Sequence, residues 1–199
     1  PMPTPDPGPF DLVIRNAQVL DGTGSDAFEA DIGVRGDRIV RVAREGIATD
    51  AGQVEIDARG LVVAPGFIDL HAHLDPLLRL PHAESHVRQG VTTALGGPDG
   101  SAPLPLEPYL DSAQALGVGM NVAFLVGHNS VRRQVMGLDD RAPTPDELEA
   151  MKALVAEGME DGAFGISTGL RYFPGAFADL DEGVELFFDD TATTEIYTS

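Results

Sequence analysis

Residues 65–76 read PGFIDLHAHLDP, a short apolar run that ends in His71 and His73, with Asp69 before them and Asp75 after. A buried strand ordinarily fills with Val, Ile and Leu, because imidazoles and carboxylates taken out of water without partners are costly. In an extended chain, residues two apart point to one face, which puts His71 and His73 side by side, about 6.5 to 7 Å apart at Cα. Two imidazoles converging from one strand end can share an ion, and neutral imidazole suits zinc and similar divalent metals. An isolated His-x-His is a weak signal, and a structural or surface pair is its ordinary alternative. Asp69 shares the histidine face one layer deeper, where it can orient a ligand or bond to backbone amides. Asp75, followed by Pro76, reads as a turn residue.

The chain on either side decides what kind of strand this is. Upstream, PMPTPDPGP alternates Pro with small or polar residues and is expected to be a disordered lead-in over residues 1–10. DLVIRNAQVL, the hairpin pattern ADIGVRGDRIVRVA around Gly36-Asp37, and QVEIDARGLVVAPG alternate apolar with polar residues, as one-sided antiparallel strands do. Residues 11–65 are therefore read as a small β-sheet unit. Downstream the rhythm becomes strand, helix, strand, helix. The strands are FIDLHAH, VTTALGG, MNVAFLVGH and AFGISTGL. Helices are read within LPHAESHVRQG, over LEPYLDSAQALG, and over TPDELEAMKALVAEGMEDG with Thr144 as cap and Pro145 at its first position. Nearly continuous apolar strands alternating with helices indicate parallel βα units, so residues 66–186 are read as an α/β layer or part of a (β/α) barrel. His71 and His73 then stand at the C-terminal end of its first strand, where parallel barrels build their sites. LDEGVEL starts as a helix, but FFDDTATTEIYTS breaks its periodicity and resembles translated adapter sequence. Residues 187–199 are read as a non-native tail, the alternative being a genuine polar one.

Composition narrows the partners. The chain has 199 residues, 43% of them hydrophobic, and a formal net charge of −19 from 13 basic and 32 acidic side chains. Those proportions describe a globular protein, and the field repels nucleic acid and anionic membrane surfaces, so neither is an expected partner. No apolar run approaches the roughly 18 residues of a membrane span, and no basic-then-apolar signal segment is read at the start. Cysteine is absent, which excludes disulfides, thiolate ligands and a cysteine nucleophile while leaving the compartment open.

Taken together, the strand-rich preface, VVAPGFIDLHAHLD, RQGVTTAL, VAFLVGH and GAFGISTGLRYFPG resemble the amidohydrolase superfamily, and within it the N-acyl-D-amino-acid deacylase branch. The resemblance runs over roughly residues 11–186. It implies a small N-terminal sheet, half of a composite β-sandwich, followed by the first four βα units of an incomplete (β/α)8 TIM-like barrel. It implies a metal-dependent hydrolase of linear amide C–N bonds that acts on a small N-acyl amino acid with one or two zinc ions. His71 and His73 would be metal ligands. The family places a cysteine ligand in the turn after the second strand; here that turn is GPDG, with Asp99 at the matching position. Asp99 is either a substitute ligand, since carboxylates bind zinc, or a plain β-turn residue.

Other positions carry two readings each. His128, ending the third strand, would touch substrate or a ligand, or else be a satisfied structural histidine. Arg171 and Tyr172, after the fourth strand, could receive a substrate carboxylate, which Arg pairs bidentately; packing is their alternative. His82 and His86 in HAESH do not form an HExxH arrangement and read as helix surface. A cyclic amidase of the dihydroorotase or hydantoinase type is the runner-up, disfavoured because FGISTGL lacks the lysine that those enzymes carbamylate. A non-catalytic binding module is the rival outside enzymes. Family members run to more than twice this length, so further histidine ligands and the catalytic aspartate are expected outside these residues, and this chain alone is expected to be inactive.

Overall fold

The computed structural model describes residues 9–48 and 51–187, in two compact units that divide between Pro65 and Gly66. Residues 1–8 of the expected lead-in and the tail after Phe187 lie outside the described residues, and Phe10, the last residue of that lead-in, instead opens the first strand and is fully buried. Phe187 itself, where that tail was expected to begin, is the last residue of a helix.

The first unit is one five-stranded sheet. Its strands are β1 (Phe10–Val19), β2 (Phe28–Arg35), β3 (Arg38–Ala43), β4 (Gly52–Asp57) and β5 (Val62–Val63). The order is β3-β2-β1-β4, with β5 also on β1. β2 and β3 form the expected antiparallel hairpin, and Gly36 supplies the positive φ, 57°, that its tight turn requires. β4 and β5 correct the antiparallel reading, because both run parallel to β1. Alternation reports which face is buried and carries no information about strand direction.

The register lines up two rows of branched aliphatics on one face. Ile39, Val34, Leu12 and Val54 form one row, and Val42, Ile32, Ile14 and Ile56 the other. The outer four of these, Ile39, Val42, Val54 and Ile56, are 46–66% exposed. Val13, Ala43 and Ile47 cluster with Phe10 in a small core of their own. Beside them Arg15 spreads its guanidinium over four partners. It donates to Asp31 and Glu55 and to the carbonyls of Ile47 and Ala48, while Asp31 also accepts from the Ile47 and Asn16 amides.

The second unit alternates strand and helix. β6 (Phe67–Asp69), β7 (Val91–Gly96) and β8 (Asn121–Phe124) form a parallel sheet in that order, and β9 (Val126–Gly127) pairs in parallel with β10 (Ile166–Ser167). The Leu125 amide still bonds the Gly96 carbonyl at 3.0 Å, so β8 and β9 are one strand interrupted at Leu125. Four parallel strands therefore lie side by side in chain order. Between and after them run α1 (Glu84–Val87), α2 (Glu107–Leu116), α3 (His128–Met136), α4 (Pro145–Glu160) and α5 (Leu180–Phe187).

α4 begins as its sequence dictates. The Thr144 hydroxyl accepts from the Glu147 amide, and the Glu147 carboxylate accepts from the Thr144 amide, a complete capping box. Its buried Met151 and Val155 join Ala94, Phe124, Val126 and Val131 in the main core.

α3 was not expected, since MNVAFLVGH reads as strand through His128. The strand ends at Gly127 and His128 opens the helix. The buried residues of α3 are His128, Asn129, Val131, Arg132 and Met136, and three of these are polar, so hydrophobic periodicity is faint there. The expected α1 is a single turn, and β6 stops at Asp69, short of both histidines.

Candidate metal centre

His71 and His73 lie just past β6, yet the alternation of the strand continues through them. The Ala72 amide bonds the Leu95 carbonyl of β7 at 3.0 Å. Ala72 and Leu74 point into the core at 3% and 4% exposure, while the two imidazoles stand on the other side, more than half exposed. Their ring centroids are 5.6 Å apart, edge to face.

Asp99 meets them from the next βα turn. It lies between Pro98 and Gly100 directly after β7, in the left-handed backbone region at φ 56° and ψ 26°. Its Oδ2 is 3.4 Å from His71 Nε2 and 3.4 Å from His73 Nε2. One donor atom from each residue falls within 4.8 Å of the other two, and no other cluster of three such donors occurs among the described residues.

The two histidine–aspartate separations suit a zinc-sized cation. Ligands about 2.0 to 2.2 Å from a tetrahedral zinc stand about 3.3 to 3.6 Å from one another, and both histidine–aspartate separations meet that spacing. Two imidazole ligands and one carboxylate would leave a bound divalent ion with a net single positive charge. A recess of about 380 Å³ opens beside them, lined by His73, Gly97, Pro98, Ser101, Tyr109 and Phe124 among others.

The remaining sequence candidates fall elsewhere. Asp69 accepts a hydrogen bond from the His71 backbone amide at 3.0 Å, so it orients the main chain of that residue. Arg171 and Tyr172 are exposed on the loop after β10. His128 is buried at 1% exposure. Its Nδ1 lies 2.9 Å from Thr168 Oγ1 and its Nε2 2.8 Å from Glu182 Oε1. Both ring nitrogens are therefore engaged by side chains of this unit. Arg132 donates to the other oxygen of Glu182 and to the Arg141 carbonyl. Burial pushes the Glu182 carboxyl up, but hydrogen bonds from His128 and Arg132 outweigh it and hold the group below its ordinary value. Glu182 and Arg132 were not singled out from sequence. The signal available was the i, i+4 spacing of His128 and Arg132 ahead of a glycine stop at Gly137.

Comparison with known proteins gives this arrangement a context. The D-aminoacylase of Alcaligenes xylosoxydans xylosoxydans is 37% identical over 98% of this chain and 45% of its own length. A solved D-aminoacylase whose binuclear metal centre has been studied superposes with a TM-score of 0.82 at 36% identity, covering 90% of this chain and 42% of the other. The N-acyl-D-glutamate deacylase of Bordetella bronchiseptica, solved with zinc and a phosphonate inhibitor, also gives 0.82, at 35% identity over 89% of this chain and 42% of the other. The chain thus spans less than half the length of these relatives. The model of the amidohydrolase family matches residues 54–199, a span that holds both histidines and Asp99, and the chain belongs to that family.

Proposed function

We propose that this chain forms the metal-binding N-terminal part of an N-acyl-D-amino-acid deacylase, which hydrolyses the linear amide of a small N-acyl amino acid. The observation that carries the reading is the convergence of His71, His73 and Asp99 on one point. His71 and His73 act as neutral nitrogen donors and Asp99 as the charged oxygen donor, holding one zinc ion or a share of two. An ion held there would supply Lewis acidity for attack of water on the amide carbonyl. Asp69 steadies the His71 main chain. Arg171 and Tyr172 are proposed to receive the substrate carboxylate. The four parallel strands are proposed to be the first half of a (β/α)8 barrel, and the sheet of the first unit to be part of a β-sandwich. Further ligands and the general base are assigned to sequence outside these residues, since the relatives are more than twice as long as the part of them matched here.

Titration of the purified chain with Zn²⁺ tests the site. His71→Ala is expected to weaken binding at least about 100-fold, near 2.7 kcal/mol; unchanged stoichiometry and affinity in the folded variant would remove His71 from it. Assays on N-acetyl-D-amino acids are expected to show no turnover by the 199-residue chain beside a complete relative. Turnover at a comparable rate would place the whole machinery within it.

A further inference from the structure

Asp99 occupies a backbone region that a non-glycine residue adopts at a cost, φ 56° and ψ 26°. The loop around it is fastened from two directions. At the end of β10, the Ser167 hydroxyl accepts from the Gly100 amide at 3.0 Å and donates to the Gly97 carbonyl. One side chain thus ties the main chain before and after Asp99. Gly169 backs onto the same turn, where a Cβ would lie 2.0 Å from the Asp99 carbonyl oxygen. From α3, Asn129 sits under Gly100, where a Cβ would meet its Oδ1 at 2.5 Å. Ser130 accepts from the Ala102 amide at 3.0 Å and donates to the Ala102 carbonyl at 2.8 Å.

We propose that Ser167 is a positioning residue that presets Asp99 as the third metal donor. The proposal rests on the metal reading above. The Ser167 backbone pairs with Gly127 in the β9–β10 ladder, while its hydroxyl is spent on the two ends of the Asp99 turn. Without that hydroxyl the Gly97 carbonyl and the Gly100 amide lose their common partner. The turn is then free to leave the left-handed region, and the Asp99 carboxylate no longer rests between the two imidazoles. Metal binding must supply the ordering that the serine provides in advance.

The experiment titrates the metal-free chain with Co²⁺ and follows its visible absorption, with thermal melting of each metal-free variant alongside. Ser167→Ala is expected to lower Co²⁺ affinity 10- to 100-fold, the usual size of an outer-shell loss, and to change the band. Ser167→Thr, which keeps the hydroxyl, retains affinity and band. In an Asp99→Asn background, Ser167→Ala has no further effect, because there is no carboxylate left to position; an equal loss in both backgrounds would reduce Ser167 to a fold residue and overturn the proposal. Wild-type affinity and band in Ser167→Ala, with a clear loss in Asp99→Asn, would also overturn it and leave the metal reading standing. A wild-type chain that takes up no Co²⁺ overturns the metal reading, and this inference with it. If Ser167→Ala does not fold, Gly169→Ala, which presses on the Asp99 carbonyl, enters the same cycle with the same expected loss and the same overturning results.

Discussion

Past β6, two imidazoles stand more than half exposed, each 3.4 Å from the carboxylate of Asp99. Past β9, one imidazole is sealed at 1% exposure with both nitrogens bonded and an arginine sharing its carboxylate. Both pieces of chain follow strand ends of one parallel series; His71 and His73 enter a βα loop, whereas His128 opens α3 directly. The difference lies in what remains unspent. His71 and His73 keep ring nitrogens available to an ion, whereas His128 has used its own to join the end of β10 to α5. A histidine at a strand end is thus a ligand candidate only where its ring has no full set of partners. The same residue type serves the fold where it has them.

The comparison breaks most readily at the buried end. Glu182→Ala strands Arg132 and His128 without their carboxylate, and removing one member of a buried pair costs about 3–5 kcal/mol. Denaturant unfolding should show that loss, while His71→Ala changes stability by less than about 0.5 kcal/mol, as exposed substitutions do. A Glu182→Ala loss below about 1 kcal/mol would mean that the buried cluster is not sealed. The converse holds for metal. His73→Ala should lower Zn²⁺ affinity about 100-fold, near 2.7 kcal/mol, whereas Thr168→Val, which removes a partner of His128, costs about 1–3 kcal/mol of stability and leaves Zn²⁺ affinity within about threefold. A large affinity loss in Thr168→Val would join the two ends into one site.

Acid titration sharpens the contrast further. Glu182 is held below its ordinary value, so the stability it contributes is fully present above about pH 4.5 and is lost as pH falls through its folded value. Glu182→Gln should therefore lose less stability than wild type on acidification below pH 4.5; parallel curves would show the carboxyl to be unlinked to folding. The smallest effect belongs to the exposed polar pair that caps α4. Arg141 and the Thr144 amide hold Glu147 at about 2, so that cap weakens only between about pH 4.5 and 2. Thr144→Ala should cost about 1 kcal/mol at neutral pH, measurable as a shift in the denaturant midpoint.

How much of this was legible depends on whether polarity and position agree. The βα alternation was legible because the strand segments are apolar runs in the sequence and α4 carries the buried Met151 and Val155 four residues apart. The histidine pair was legible because the period of two runs on past Asp69, where the ladder itself stops. Asp99 was legible only through the family turn, since Pro-Asp-Gly alone is ordinary turn chemistry. α3 stayed hidden because its inward face is carried by His128 and Arg132, whose burial depends on Glu182, 50 residues beyond Arg132. The partnership of Ser167 with the Asp99 turn, across 67 residues, leaves no local mark either. A hydroxyl's partner is chosen by the fold.

The direction of β4 was equally silent in the alternation, yet the first unit does carry a device for it in Arg15. Its guanidinium reaches Glu55 on β4, Asp31 on β2 and two carbonyls of the segment that leads from β3 toward β4. Only a planar group with donors fixed along several directions can serve all four together. A lysine would keep the charge and offer three donors on one freely turning nitrogen. Substitution by lysine would therefore conserve electrostatics and lose information. What Arg15 contributes is a set of angles, and those angles hold the returning segment beside a strand that runs parallel to β1.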